Sequence, residues 1–169
     1  RSGTTLLDTI LRSHSKIEVA EEQPMVMAML EKLGSSKSVS DIENIDDNFV
    51  KVLSDVYLKE LAKHVNIQDN ALLIDKLPLN ILSIPLIKKV FPGAKFIFVL
   101  RHPLDCILSC WMQNFRLNSA MANMVELDRT VDFYCTVMEM LKLSEQRYQM
   151  KIYTIRYEDL ITNFDENVS

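Results

Sequence analysis

Four short apolar segments restrict the fold of this chain more than any other feature. They cover residues 16–20, 71–75, 95–100 and 151–156. Each is short enough for a strand, and the continuous apolar run at 71–75 is typical of a strand buried on both faces. Between them lie longer stretches in which apolar residues recur with helical spacing. Strands that alternate with helices predict right-handed βαβ units, a parallel sheet and an α/β fold.

The helical stretches have clear beginnings and ends. We predict helices over residues 3–13, 24–30, 41–65, 80–90, 103–115 and 120–148, and a short one from 157. Pro24 and Pro103 suit the first position of a helix, because proline lacks the N–H that would be unpaired there. The stretch 34–38, GSSKS, predicts a flexible break.

The first seven residues, RSGTTLL, have the pattern of an anion-binding loop that opens into a helix. Gly3 allows the backbone to approach a ligand closely, and the first N–H groups of the helix favour negative charge. Hydroxyl donors and one fixed cation are supplied by Ser2, Thr4, Thr5 and Arg1. A simple N-capped helix is the alternative, and these residues alone leave both open.

This loop differs from the common magnesium-dependent phosphate loop, G-x-x-x-x-G-K-[ST]. Thr4 and Thr5 are followed by two leucines, and no lysine stands where that signature requires one. The loop therefore suits a phosphate held without magnesium, which argues against an ATPase or a kinase.

Positive and polar residues follow the predicted strands directly. They are Lys76, Arg101, Tyr157 and Glu158. Ligands of parallel sheets bind at the carboxyl ends of the strands, so these residues and Arg1 predict a polyanion site. Ser109 lies two helical turns after Arg101, near enough to share a ligand group. Considered alone, Lys76 could equally be a solvated lysine, and Arg101 could equally be the ion-pair partner of Asp105.

Composition sets outer limits on function. The chain has 169 residues, enough for about one domain, and its 48% hydrophobic content allows a real core. A net charge of −4 offers no general attraction for nucleic acid. No apolar run reaches the roughly 18 residues of a membrane span. The three cysteines predict no disulfide framework, and neither they nor the three scattered histidines form a metal ligand set.

Several motifs together resemble the sulfotransferases that use 3′-phosphoadenosine 5′-phosphosulfate (PAPS). The matching pieces, in the family's order, are RSGTTL at 1–6, DKLP at 75–78, FPGAK at 91–95, RHPLD at 101–105 with Ser109, and RYEDL at 156–160. The chain looks nearest to the tyrosylprotein type and to bacterial relatives joined to helical repeat domains. The combination is specific, although no single piece is.

The resemblance implies roles for named residues. It implies that the loop Arg1, Ser2, Gly3, Thr4, Thr5 and Leu6 holds the 5′-phosphosulfate, that Arg101 and Ser109 hold the 3′-phosphate, and that Tyr157 lies close to the nucleotide. Glu22 falls where the tyrosylprotein type has its catalytic base, and Lys76 where it has the lysine that contacts the transferring group. A carboxylate can remove the acceptor's proton, and a fixed cation can stabilise the leaving oxygen. The alternative for Glu22 is a surface acid near the start of the next helix.

The resemblance also implies the wider architecture. It implies a three-layer α/β fold of the P-loop nucleotide-hydrolase-like type in one sulfotransferase-like core over residues 1–169. The family's first strand and C-terminal segment are expected outside this sequence, so we expect the chain to be part of a longer protein that binds nucleotide weakly and turns over poorly in isolation.

The expected activity is transfer of a sulfuryl group from PAPS, the co-substrate, to a hydroxyl or amine by in-line displacement without metal. Peptide tyrosine, a glycan and a small metabolite remain open as acceptors. The expected partners include no nucleic acid and no membrane for this segment. A bacterial cytosol fits the cysteines, and a Golgi lumen is the alternative. A P-loop kinase-like phosphotransferase and a non-catalytic nucleotide-binding module are the competing functions.

Overall fold

A computed structural model describes residues 2–34, 38–66, 70–113, 115 and 120–162 of the chain. The chain divides into two compact units, one formed by residues 5–95 and the other by residues 1–4 with 96–169. Each unit contains one pair of parallel strands with its own helices, so each is described by itself.

Residues 5–95 form the first unit. Its strands are β1 (Ile17–Glu21) and β2 (Leu72–Lys76), and its helices are α1 (Thr4–Arg12, whose first residue belongs to the other unit), α2 (Met25–Leu33), α3 (Val39–Glu43), α4 (Asp47–Leu61) and α5 (Ile84–Val90). A 3-10 helix, Pro78–Ser83, precedes α5. The two strands are parallel, with Ile17 opposite Leu72 and Glu21 opposite Lys76. This register brings the last residues of both strands side by side.

The core of this unit is built where α2 packs against α4. Its fully buried large side chains include Met25, Met29, Leu53 and Leu61. Methionine fills irregular gaps well, which suits the two methionines of α2 to this position. The apolar faces of α2 and α4 therefore fix the two helices against each other, and α2 begins soon after β1 ends at Glu21.

The second unit contains β3 (Phe96–Leu100) and β4 (Ile152–Arg156), again parallel, with Leu100 opposite Arg156. Its helices are α6 (Pro103–Trp111), α7 (Leu127–Tyr148) and α8 (Tyr157–Thr162), with a 3-10 turn at Met121–Met124. α6 packs against α7. The buried side chains are Val99, Cys106, Ile107, Leu141, Ile152 and Leu160.

The four predicted strands are confirmed within one residue of their expected ends, and each lies in a parallel pair. The chain is a mixed α/β protein, as the alternating pattern predicts. The stretch 71–75 is not buried on both faces as expected, because Leu72 of β2 is exposed. Ile97 of β3 and Tyr153 of β4 are exposed as well.

The single helix predicted over 41–65 is wrong, because α3 and α4 are separate. Asp46 caps α4 by accepting hydrogen bonds from the N–H groups of Asn48 and Phe49, at 2.9 and 3.0 Å. Ser38 and Asp41 form a capping box at the start of α3. Each cap satisfies N–H groups that a continuous helix would pair internally, so the chain can begin a second helix here.

Other helix ends also differ from the prediction. The stretch 80–90 begins as a 3-10 helix and becomes α-helical only from Ile84, with Pro85 in its first turn. α6 ends at Trp111 rather than at Phe115, and the long helix predicted from 120 begins at Leu127. Part of the predicted break, residues 35–37, lies outside the described residues.

Candidate active site

The turn before α1 requires a glycine. Gly3 has φ +98°, a left-handed backbone conformation that side chains disfavour. A Cβ on Gly3 would lie 2.7 Å from Cε2 of Tyr157 and closer still to Cδ2. The Gly3 backbone is thus packed directly on the Tyr157 ring, and both backbone and packing exclude any larger residue.

The other residues of the predicted anion loop flank Gly3 in the sequence. Ser2, Thr4 and Leu6 are half-buried, and Thr5 is exposed. α1 begins at Thr4, so its first N–H groups belong to the predicted anion loop. Arg1 lies outside the described residues.

Arg101 and Tyr157 leave the carboxyl ends of two neighbouring strands. Leu100 and Arg156 are paired in the ladder, so Arg101 and Tyr157 come at the next position of each strand. The Arg101 guanidinium carbon lies 5.0 Å from the centre of the Tyr157 ring, a cation–π distance. Nη2 of Arg101 also lies 3.5 Å from Oδ2 of Asp105, the ion pair that the sequence offered as an alternative. Arg101 is therefore held from two sides.

Glu158 links the same two strand ends. Its Oε1 accepts a hydrogen bond from the backbone N–H of His102 at 2.9 Å. This bond lowers the pKa of Glu158 below its ordinary value. The start of α8 is thereby tied to the turn that follows β3. Ser109 lies half-buried on α6 in the same unit.

The two predicted catalytic residues meet at the ends of β1 and β2. Nζ of Lys76 donates to Oε1 of Glu22 at 3.2 Å and to Oε1 of Glu21 at 2.8 Å. The backbone N–H of Glu22 donates to the carbonyl of Lys76 at 2.7 Å. Glu22 has φ +52°, an uncommon conformation for glutamate that redirects the chain at the end of β1.

Burial and charge act in opposite directions on Lys76. Its side chain is only 9% exposed, whereas those of Glu21 and Glu22 are 44% and 60% exposed. Burial lowers the pKa of Lys76, but the hydrogen bonds to both glutamates outweigh it, so the pKa is raised overall. The hydrogen bond from Lys76 lowers the pKa of Glu21. The ammonium and the Glu21 carboxylate are both charged at neutral pH.

Glu21 has a second cationic neighbour, which the sequence did not reveal. Nη2 of Arg12 lies 3.3 Å from Oε2 of Glu21, and Nε of Arg12 donates to Oδ1 of Asp8 at 2.5 Å. Asp8 is buried on α1. Charges of alternating sign therefore run Asp8, Arg12, Glu21, Lys76, Glu22, and we call these five side chains the charge row.

A half-buried carboxylate, Asp75, precedes Lys76 in the chain. Asp75 accepts from the Tyr57 hydroxyl at 3.0 Å and from the Asn80 amide at 3.1 Å. Burial raises the pKa of Asp75, although both hydrogen bonds oppose the increase. The end of β2 is thus fixed to α4 and to the 3-10 helix that follows.

The predicted residues therefore fall into two local groups. Gly3, Arg101 and Tyr157 contact one another in succession within one unit, and Glu22 contacts Lys76 within the other. Within the described ranges, no group of three or more His, Cys, Asp or Glu residues is arranged to hold a metal ion. No helix in that part of the chain is long and apolar enough to cross a membrane.

This chain is similar to a protein family and to several individual proteins. A family model described as "Sulfotransferase family" matches residues 1–169. An uncharacterized protein of Aquifex aeolicus (strain VF5) is 33% identical over 124 residues, which are 68% of this chain and 16% of that protein. Cytosolic sulfotransferase 15 of Arabidopsis thaliana is 28% identical over 92 residues, 46% of this chain and 24% of that protein.

A tyrosylprotein relative is also similar. Protein-tyrosine sulfotransferase 2 of Gallus gallus is 30% identical over 108 residues, 60% of this chain and 29% of that protein. This chain spans less than a third of the length of each of these relatives.

Proposed function

The chain belongs to the sulfotransferase family, and on this premise we propose that it transfers a sulfuryl group from PAPS to a hydroxyl or amine acceptor. The geometric observation that carries the proposal is the contact between Lys76 Nζ and Glu22 Oε1, at 3.2 Å. It brings a fixed cation and an exposed carboxylate to the ends of two adjacent parallel strands. Sulfuryl transfer needs both kinds of group at one place.

The donor is proposed to bind at the ends of β3 and β4. The loop of residues 1–6 would hold the 5′-phosphosulfate, with Gly3 allowing close backbone approach. Arg101 and Ser109 would hold the 3′-phosphate, and Tyr157 would lie close to the nucleotide. The packing of Gly3 and Arg101 against one tyrosine ring supports this assignment, because that ring would set the spacing of both.

The transfer step is proposed as a single in-line displacement. The acceptor oxygen or nitrogen attacks sulfur as the bond from sulfur to the bridging phosphate oxygen breaks. Glu22 takes the acceptor's proton, and adenosine 3′,5′-bisphosphate leaves. Lys76 would stabilise negative charge that develops around the transferring group, where a preorganised cation is most effective.

We propose that the wider fold is of the P-loop type, with a three-layer arrangement of helices around a parallel sheet. Support comes from two parallel strand pairs and from the glycine turn that opens α1. The lack of a lysine at the usual place in the loop supports transfer without metal.

The experiment is transfer of ³⁵S from labelled PAPS to a panel of phenols, glycans and amines, with the whole encoded protein. We expect labelled product, with equal yield in the presence of EDTA. Phosphate transfer from ATP that requires magnesium would identify a phosphotransferase instead. Binding of PAPS without turnover on any acceptor would identify a nucleotide-binding module.

A further inference from the structure

Glu21 contacts both cations of the charge row but has no role in the reaction proposed above. It is the last residue of β1, directly opposite the last residue of β2, Lys76. In a parallel ladder, opposite residues place their side chains on the same face of the sheet. The register therefore brings the Glu21 carboxylate to the Lys76 ammonium, where it makes the shorter of the two hydrogen bonds.

The two oxygens of Glu21 are used differently. Oε1 accepts from Lys76, and Oε2 lies 3.3 Å from Arg12, whose own position is fixed by the buried Asp8. A carboxylate held between two cations, one of them anchored to a buried acid, has little freedom to turn. Glu21 is thus a fixed point for the ammonium although its side chain is 44% exposed.

Glu22 is more exposed than Glu21 and has fewer charged partners. It is 60% exposed, and among the described residues Lys76 is the one side chain that it contacts by hydrogen bond. That contact is also the longer one. Glu22 can therefore leave the ammonium and turn to an acceptor at small cost, while Glu21 keeps Lys76 in place.

We propose that Glu21 is a positioning residue for the transfer step: it holds the Lys76 ammonium at the strand end so that Glu22 is released to act as the base. This inference rests on the proposed function, because it concerns the same step. Without the Glu21 charge, Lys76 would have Glu22 as its one carboxylate partner, and base and cation would neutralise each other.

The contact with Glu21 also affects the pKa of Lys76. A largely buried ammonium loses its charge more readily unless a carboxylate compensates it. The charged groups that face Lys76 are Glu21 and Glu22 on β1 and the turn after it, with Arg12 and Asp8 of α1 beyond Glu21. Removal of the nearer carboxylate should therefore lower the pKa of Lys76.

The test compares Glu21→Gln with Glu31→Gln in the whole encoded protein. Glu31 is an exposed carboxylate on α2 of the same unit, so its change controls for the loss of one negative charge. For Glu21→Gln we expect kcat to fall by about 10- to 100-fold, a range typical of a displaced catalytic group, with the affinity for adenosine 3′,5′-bisphosphate within about twofold of wild type.

Two measurements distinguish a positioning role of Glu21 from a purely structural one. The alkaline limb of the pH dependence of kcat/KM should move to lower pH, since that limb reports loss of the Lys76 proton in the free enzyme. The pH dependence of Lys76 labelling by an amine-reactive reagent, measured by peptide mass spectrometry, should have its midpoint at lower pH as well. Glu21→Asp, which keeps the charge, should restore part of the rate and move the midpoint back.

The outcomes are distinct. If wild type transfers sulfuryl groups and Glu21→Gln matches Glu31→Gln in rate and labelling, the positioning role is overturned and the proposed function stands. A lower kcat with an unmoved alkaline limb and labelling midpoint overturns it too, because Glu21 would then act on folding alone. If wild type transfers no sulfuryl group from PAPS, the proposed function fails first, and the positioning role fails with it.

Discussion

Both pairs of parallel strands end in a cation, yet the two cations are held in opposite ways. Lys76, the last residue of β2, is largely buried and hydrogen-bonded to two carboxylates. Arg101, after β3, lies over the ring of Tyr157 and contacts Asp105 only at 3.5 Å. The first cation is paired with two carboxylates, and the second also lies against an aromatic face.

This difference separates two chemical tasks. A planar guanidinium suits phosphate, because its donors form a fork that matches two phosphate oxygens. A lysine flanked by carboxylates suits a step in which a proton and a developing charge move together. The difference agrees with the proposal that nucleotide binds at the ends of β3 and β4 and that the chemical step takes place at the ends of β1 and β2.

The largest expected effect on nucleotide affinity tests the aromatic side of this comparison. Gly3→Ala places a methyl group against the Tyr157 ring and forces alanine into a left-handed backbone. Strain of about 3 kcal/mol corresponds to roughly a 100-fold loss of affinity for adenosine 3′,5′-bisphosphate. Calorimetric titration of the variant measures it.

A double-variant cycle shows whether the ring is the cause. In a Tyr157→Ala background the added methyl meets open space, so Gly3→Ala should cost only the backbone strain, about 1–2 kcal/mol. Equal costs in both backgrounds would show that the Gly3–Tyr157 contact does not set the loop.

The next effect tests the compensated lysine. Lys76→Met keeps the length of the side chain but removes its charge, and we expect the rate of sulfuryl transfer to fall by about 100- to 1000-fold. Single-turnover kinetics with labelled PAPS measure the rate. Affinity for the bisphosphate nucleotide should change by less than about threefold, because binding is assigned to the other strand pair.

Lys63→Met provides the matched control, since Lys63 is also a lysine paired with a glutamate, Glu60. That pair lies at the C-terminal end of α4, and its loss should leave the rate unchanged. A loss of nucleotide affinity in Lys76→Met as large as the loss of rate would contradict the separation of tasks.

A smaller effect concerns stability at the end of β2. Asp75→Ala leaves the Tyr57 hydroxyl and the Asn80 amide without their acceptor, and we expect about 2 kcal/mol less free energy of unfolding. Denaturant titration measures the loss. An unchanged unfolding midpoint would show that this network does not hold the strand end.

The pH dependence of stability gives a sharper test of the same group. Burial raises the folded pKa of Asp75, so the folded protein binds its proton at a higher pH than the unfolded chain does. Stability from this residue therefore increases as pH falls through the raised pKa and decreases as pH rises through it. Asp75→Asn should lose this contribution. An identical pH profile in the variant would contradict it.

The smallest effect concerns the ion pair of Arg101. Asp105 is 55% exposed at its side chain, and such pairs contribute little to stability. Asp105→Asn should leave the melting temperature within about 1 °C and bind the bisphosphate nucleotide equally well or up to about threefold tighter, because a competing anion is removed. Weaker binding would show that Asp105, rather than the ring, places Arg101.

The sequence predicts the parts of this molecule that local patterns determine. The strand at 96–100 and the cation after it follow from an apolar run and its end. The break between α3 and α4 was missed because apolar spacing continues across it, although Asp46 is a strong N-cap residue that marks it.

Glu21 was missed for a different reason. As one of two adjacent acids before Pro24, it has no local feature that distinguishes it from Glu22. Its contacts depend on the register of β1 against β2 and on Arg12 from α1, and neither follows from spacing along the chain. The contact of Gly3 with Tyr157 is similar, since 154 positions separate them (157 minus 3).

Titration with adenosine 3′,5′-bisphosphate shows whether the nucleotide binds at the end of β3, with wild type compared to Arg101→Ala, Lys76→Met and Lys151→Ala. Lys151 also lies over a tyrosine ring, that of Tyr153, but before β4 rather than after it. We predict binding that Arg101→Ala weakens by at least about 10-fold and that the two lysine variants leave nearly unchanged. No binding by wild type, or equal binding by Arg101→Ala, would contradict the account.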